Sequence, residues 1–345
     1  MIKIDVGKIN NWNKIKINHC EYFRNIVQKE LSNLYIMGST YSKKRNETKK
    51  SLEKVYYQLN NVERSEIESD FGGVFSIKNG KSIFTINNDE KIQCITSGDL
   101  EDVIYIFNKS SINKTLVDRI FNYKKFCNNK GWNRHKLLSM LEIKVCPYCN
   151  RQYITSYEGR ENNEKKTTAD LDHFYSQSEY PYLALSLYNF IPSCQICNSR
   201  FKLNENFRSV PHIYPYKEEF KDNAKFKIRG TSIEYLLGNS SDFDIYIDIK
   251  DSELKEKIKN SIITFHLNEV YKTHTDYVQE IIKKAIIYND SRINEIMFDF
   301  PKLFSSKDEV FRMIFGNYIN NADLGKRPLS KLTKDICEEL GLNFK

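Results

Sequence analysis

The chain has 345 residues, with 53 Lys and Arg against 45 Asp and Glu, a formal charge of +8 and 40% hydrophobic residues. That length supports one large domain or two to three ordinary ones, each with its own core, without help from disulfides or lipid. The mild basicity is compatible with a polyanionic partner but falls below what a protein dedicated to coating nucleic acid carries, and the abundance of Lys, Asn and Ile weakens any argument from counting lysines.

The opening stretch, MIKIDVGKINNWNKIKIN, alternates charged and apolar residues and lacks the continuous apolar segment of a signal peptide. The longest apolar stretch, YPYLALSLYNFI, is broken by Ser and Asn. Both features lead to the expectation of a cytoplasmic protein with no membrane segment. Residues 1–130 read as a mixed α/β region. Leu52, Val55, Tyr56 and Leu59 have helical spacing, and two short alternating runs flank Asn79-Gly80, a strong type I′ hairpin signal. Residues 112–141 read as helical and rich in Lys, Arg and aromatics; YKKF at 123–126 and RHK at 134–136 mix cations with rings, as nucleic-acid grooves and ordinary surfaces both do.

Residues 131–220 hold the chemistry. Cys146 and Cys149 form one Cys-x-x-Cys pair, Cys194 and Cys197 a second. Two such pairs suit one tetrahedral zinc, whereas a redox motif uses a single pair. A shell of four thiolates has no open position for substrate or water, so this zinc is structural, and a zinc hydrolase acting on small substrates is disfavoured. The other four cysteines, Cys20, Cys94, Cys127 and Cys337, stand apart and read as buried reduced thiols. The 44 residues between Cys149 and Cys194 far exceed the roughly 15–20 of a plain zinc ribbon, so something is housed between the pairs. The insert contains DLDHFY at 170–175, which alternates as a strand with Leu171, His173 and Tyr175 on one face and Asp170, Asp172 and Phe174 on the other. It also contains Asn189, and Asn198 follows the last cysteine.

From 221 to 345 the pattern becomes a strand pair, KFKIRG and DIYIDIK, followed by helical periodicity. Ser306 with Glu309 predicts a capping box. Ser330 is expected as an N-cap, with Leu332, Ile336 and Leu340 on one face and Gly341 at the helix end.

The order Cys-x-x-Cys, Asp-His, Asn, Cys-x-x-Cys-Asn over 146–200 resembles the HNH endonucleases. That resemblance implies an α+β fold: a ββα-metal core braced by the four-cysteine zinc, between the mixed N-terminal region and a mainly helical C-terminal one. It further implies His173 as general base, Asp172 and Asn198 as ligands of one Mg²⁺ or Mn²⁺, and Asn189 orienting the imidazole. The final position of the family pattern is often His; here it is Asn. LDHFYSQSEYPYLALSLYNFIPSCQICNSRFK, with RPLSKLTKDICEELG, also looks like the PtuB-type HNH component of Septu anti-phage systems, which implies a PtuA-like ATPase partner.

The expected activity is therefore metal-dependent hydrolysis of phosphodiesters in nucleic acid, DNA first and RNA as an alternative. Arg200, Lys202, Arg208 and His212 are candidate phosphate contacts, each with an ordinary surface or packing role as the rival reading. Asn150, which repeats the knuckle position of Asn198, is expected to satisfy backbone groups around the sulfurs. The competing class is a non-catalytic zinc-stapled adaptor. A zinc scaffold needs its cysteines but has no need of Asp172, His173, Asn189 and Asn198 together, which favours the enzyme.

Overall fold

The computed structural model describes residues 1–39, 76–78, 81–83, 96–108, 120–158 and 165–342. The chain is a mixed α and β protein divided into two compact units, each assembled from separated segments: residues 9–141 with 171–191, and residues 1–8 with 142–170 and 192–345. The helix expected around Leu52–Leu59, and Cys94, lie outside the described residues. Among the described residues no helix is long and apolar enough to cross a membrane.

The unit of residues 9–141 and 171–191 contains α1 (Trp12–Ser39), β1 (Ser76–Lys78), β2 (Lys81–Ile83), α2 (Leu100–Asn108), α3 (Tyr123–Cys127) and α4 (Arg134–Leu141). β1 and β2 pair antiparallel with Lys78 opposite Lys81, the register a two-residue turn at Asn79-Gly80 demands; the turn residues themselves lie outside the described set. The helix expected through 112–141 is interrupted in its described part: α3 ends at Cys127 and α4 begins only at Arg134. Asn122 caps α3 by accepting from the Lys125 amide, and Leu137, Leu138 and Leu141 bury one face of α4. Rings fill the core. Phe126 stacks on Phe190 at 5.8 Å, and His19, Tyr22 and Tyr123 meet Phe126 edge-on or tilted. Cys20 and Cys127 are half-buried rather than buried; Cys337, in the other unit, is buried as expected.

The unit of residues 1–8, 142–170 and 192–345 contains β3 (Ser156–Glu158) paired antiparallel with β4 (Lys165–Thr167), then β7 (Ala224–Gly230) paired antiparallel with β8 (Phe243–Ile249) in the register Ala224 to Ile249. Between these pairs run β5 (Ala169–His173) and β6 (Phe190–Cys194), which form a two-stranded sheet, each strand passing from one unit into the other. Six helices follow, α5 (Lys255–Thr264), α6 (Leu267–Tyr271), α7 (Thr275–Ile287), α8 (Asp290–Asp299), α9 (Lys307–Phe315) and α10 (Ser330–Glu339). Phe226, Ile228, Ile245 and Ile247 are buried, as alternation in the two strands predicts. The outer edge of β7 is closed by α10: Asp335 accepts from the Phe226 amide at 2.9 Å and Glu339 from the Ile228 amide at 3.1 Å. Carboxylates thus saturate an edge that would otherwise template further strand pairing.

Two helix starts differ from the sequence pattern. At α9 the Ser306 side chain makes no capping bond, and the Glu309 carboxylate instead accepts from the Ser305 amide at 2.8 Å. At α10 the N-cap is Leu329, in the left-handed region at φ +62, while the Ser330 hydroxyl turns back to Asn317 and the Arg327 carbonyl. The cap of α10 comes from a residue far away in sequence, described below.

Candidate metal centre and active site

Cys146, Cys149, Cys194 and Cys197 are all buried, and their four sulfurs lie within 4.8 Å of one another, with Cys149 and Cys194 at 3.9 Å. A disulfide would need about 2.05 Å. Four sulfurs at about 2.3 Å from a central tetrahedral zinc would be spaced about 3.8 Å apart, which matches this cluster. Without a cation the four thiols divide: hydrogen bonds from the neighbouring cysteines lower the pKa of Cys194 and Cys149, whereas burial raises that of Cys146 and the bonds from its neighbours that of Cys197. The donor set therefore fits a structural zinc.

The first knuckle is a tight turn closed by the Cys146 amide on the Gln152 carbonyl (3.0 Å) and the Ile154 amide on the Lys144 carbonyl (2.9 Å), with the Arg151 amide 3.4 Å from the Cys149 sulfur. Asn150 sits in this turn at φ +52, a conformation Asn tolerates better than most residues. Its contacts differ from the expected local role. Its Nδ2 donates to the Leu324 carbonyl at 3.0 Å, its Oδ1 accepts from the Lys331 amide at 3.0 Å, and its own carbonyl accepts from the Leu329 amide at 2.7 Å. Lys331 is the second residue of α10, one of the four positions whose amide has no partner within a helix. Asn150 thus caps α10 from across 181 residues. Packing reinforces the link: Tyr271 donates to the Cys149 carbonyl at 2.6 Å, Tyr148 stacks on Phe265, and the Ile2 amide donates to the Pro147 carbonyl at 3.0 Å.

Asn198 follows Cys197 on a π-helical turn, Cys197–Lys202, and donates to Asp170 Oδ2 at 3.0 Å, where the exposed Ser199 hydroxyl also donates at 3.3 Å. The carboxylate brought to Asn198 is therefore Asp170, which the sequence pattern does not single out. Asp172, two residues along β5, is 3% exposed.

In the other unit, His173 is half-buried at the end of β5 and its Nε2 lies 3.1 Å from the Ala184 carbonyl. A carbonyl only accepts, so Nε2 donates in this bond. Tyr123 and Phe190 meet the imidazole at 4.7 and 5.2 Å between centroids and fix its plane.

Asn189 is fully buried, but its amide is engaged elsewhere: Nδ2 donates to the carbonyls of Tyr175 (3.1 Å) and Leu183 (3.2 Å), and Oδ1 accepts from the Tyr175 amide (2.8 Å). With both amide protons given to carbonyls, Asn189 braces the loop whose next carbonyl, of Ala184, meets His173. His19, which the sequence reading passed over, bonds the same loop. Its Nε2 lies 2.6 Å from the Leu185 carbonyl, and its Nδ1 accepts from Trp132 Nε1 at 3.0 Å. Three consecutive carbonyls, of Leu183, Ala184 and Leu185, thus hold Asn189, His173 and His19. Burial lowers the His19 pKa to about 4, so the ring is neutral.

Of the candidate phosphate contacts, Arg200 and Arg208 are exposed. Lys202 and His212 are each 2% exposed. The Lys202 ammonium lies over the Phe207 ring at 4.8 Å. His212 stacks on that ring at 3.7 Å, with Nδ1 against the Val210 carbonyl and Nε2 against the Thr264 hydroxyl. Both are packing residues here. No family model, curated protein or solved structure matches this chain. The geometry by itself gives a mixed α and β protein with a buried four-cysteine centre able to hold a zinc-type ion.

Proposed function

We propose that the protein is a metal-dependent endonuclease of the HNH type, hydrolysing phosphodiester bonds of nucleic acid with His173 as general base. The observation that carries this reading is the placement of His173: a half-buried imidazole at the end of β5, with Nε2 3.1 Å from the Ala184 carbonyl and the ring set between Tyr123 and Phe190. In hydrolysis the imidazole would take a proton from water as the oxygen attacks phosphorus, and the positive charge that forms on the ring would be stabilised by the Ala184 carbonyl. Tyr123 and Phe190 keep the ring from turning, so the base arrives pre-oriented.

Asp170 and Asp172 alternate onto one face of β5, opposite His173, and Asp170 is held by Asn198. The Asp170 carboxylate and the Asn198 amide oxygen, both in one unit, are hard donors of the kind that Mg²⁺ or Mn²⁺ takes and would hold the cation, while Asp172 is the ligand the sequence resemblance implies. Such an ion, when bound, supplies neutralisation of charge developing on the phosphate and leaving oxygen. The four-cysteine centre serves as scaffold, fixing the ends of the segment that carries Asp170 and His173. The anti-phage setting and the ATPase partner rest on the sequence resemblance, and restraint by a partner suits a nuclease that would otherwise attack its own cell.

The test is cleavage of supercoiled plasmid and of total RNA by wild type and His173→Ala, in Mg²⁺, Mn²⁺ or EDTA, with and without the ATPase, with zinc measured in both proteins. Cutting that needs divalent metal and falls about 100-fold or more in a variant still holding one zinc is expected, the range for loss of a general base. Equal cutting by both proteins, or none by either under all conditions, overturns the proposal.

A further inference from the structure

Outside the candidate active site, three cations converge on one aromatic ring. The Arg312 guanidinium lies 5.3 Å from the centre of the Tyr318 ring, the Lys326 ammonium 5.2 Å, and the Arg327 guanidinium 5.4 Å. Part of this arrangement is structural: Arg327 Nη1 donates to the Gly316 carbonyl at 2.8 Å, closing the C-terminal end of α9, where Gly316 adopts φ +69. The remaining guanidinium protons have no such duty. Two carboxylates answer the three charges, Asp323 at 3.0 Å from Lys326 and Glu309 at 3.7 Å from Arg312, and both pairs are partly solvent-exposed and exchangeable. Like charges gathered this closely repel one another, and the negative face of Tyr318 offsets only part of that.

The segment that carries two of these cations is also tethered. Lys326 and Arg327 follow Leu324, whose carbonyl is bound by Asn150 of the first knuckle, and precede Leu329, whose amide is bound by the same residue. Asn317 ties the other side by donating to the Pro328 carbonyl at 2.9 Å. The backbone that carries Lys326 and Arg327 is therefore tied to the first knuckle of its own unit.

We propose that the Arg312, Lys326, Arg327 and Tyr318 cluster is a docking platform for the phosphate backbone of nucleic acid, with Tyr318 acting as the post that holds the three cations in convergence. It rests on the nuclease reading for its choice of polyanion. Charges at this radius from one ring centre lie at most about 10 Å apart, a length of duplex that carries about six phosphate charges. Backbone contacts of this kind position a substrate without reading its sequence.

The experiment measures binding of fluorescently labelled duplex DNA and single-stranded RNA to the full chain in EDTA, from 50 to 200 mM salt, by anisotropy. The variants are R312Q/K326Q/R327Q, the three single substitutions, Tyr318→Leu, and a control of equal charge, K255Q/K259Q/K302Q. The triple variant should bind about 10–100-fold more weakly at physiological salt, with the salt slope reduced by up to about 2–3, and each single variant should lower the slope by about 0.9 or less. Tyr318→Leu, which changes no charge, should weaken binding about threefold or more. Equal affinity and slope for the triple variant and the control, unchanged binding by Tyr318→Leu, or no binding of either nucleic acid by wild type overturns the platform. Should the triple variant fail to fold, the single variants decide. Because EDTA removes cleavage from the assay, this result is independent of the His173→Ala test: loss of cutting with intact binding bears on the base alone.

Discussion

Replacing Asn150 perturbs the link between the first knuckle and α10 without touching a cysteine. In Asn150→Ala the Leu324 carbonyl and the Lys331 amide lose their side-chain partner inside the protein, at about 1–3 kcal/mol for each orphaned group. Alanine at φ +52 adds about 1–2 kcal/mol of backbone strain. The sum is about 3–8 kcal/mol, a large share of the about 5–15 kcal/mol of a typical domain. Asn150→Gly loses the same hydrogen bonds but relieves the strain, and should recover about 1 kcal/mol relative to alanine. Asn150→Asp keeps the acceptor for Lys331 and should fall between alanine and wild type. Urea unfolding followed by circular dichroism gives the global values. Amide hydrogen exchange at Leu329 and Lys331 gives the local one, and a loss of about 3 kcal/mol should speed exchange by about 150-fold. If alanine costs under about 1 kcal/mol, or glycine is worse than alanine, the distant-cap account is refuted.

The purified protein should contain one zinc per chain, and Cys149→Ser should lose it together with much of the helical signal of its unit; retention of one tightly held zinc by that variant, measured by plasma mass spectrometry, would remove Cys149 from the centre. His19 predicts acid sensitivity in the other unit. Its folded pKa of about 4 lies below the unfolded 6.5, so the unfolded state binds more protons between those values. Stability present above pH 6.5 should decline as the pH falls, by about 1 kcal/mol at pH 5.5 and about 3 kcal/mol below pH 4. His19→Gln should flatten that part of the profile. Tryptophan fluorescence reports this unit selectively, because Trp12 and Trp132 both lie in it; identical pH profiles for wild type and variant would refute the assignment.

Much of the architecture is legible in local pattern. The two Cys-x-x-Cys pairs announce their cluster because a two-residue spacer leaves few alternatives, and the alternation in KFKIRG and DIYIDIK marks β7 and β8 because one face of each strand is buried. The register of β1 and β2 follows from Asn79-Gly80. Less legible is whatever depends on partners distant in sequence. Asn150 reads as a knuckle residue, and nothing near Lys331 says that its amide is capped from the knuckle; the local expectation of Ser330 as the cap fails for that reason. Asp170 and Asp172 share a strand face, and alternation alone cannot choose which meets Asn198. His19 is a lone histidine in an amphipathic helix, and its importance appears only when Leu185 is seen beside Ala184. Lys202 looks like a solvated cation by type, yet its alkyl stem and ammonium are taken up over Phe207. Units built from separated segments leave no change of composition at the points where the chain crosses between them.

The reach from Asn150 to α10 also bears on the order of events during synthesis. At about 5–20 residues per second, the 181 residues separating Asn150 from Lys331 take roughly 10–40 s to emerge. Throughout that interval the first knuckle exists without the helix it caps, and once β8 has emerged the β7 edge exists without the carboxylates that close it. The cysteines, complete once Cys197 has left the ribosome, can take up their metal well before α10 arrives. Metal capture would then come early and edge closure last, so the exposed β7 edge is the feature of the nascent chain most open to misassociation.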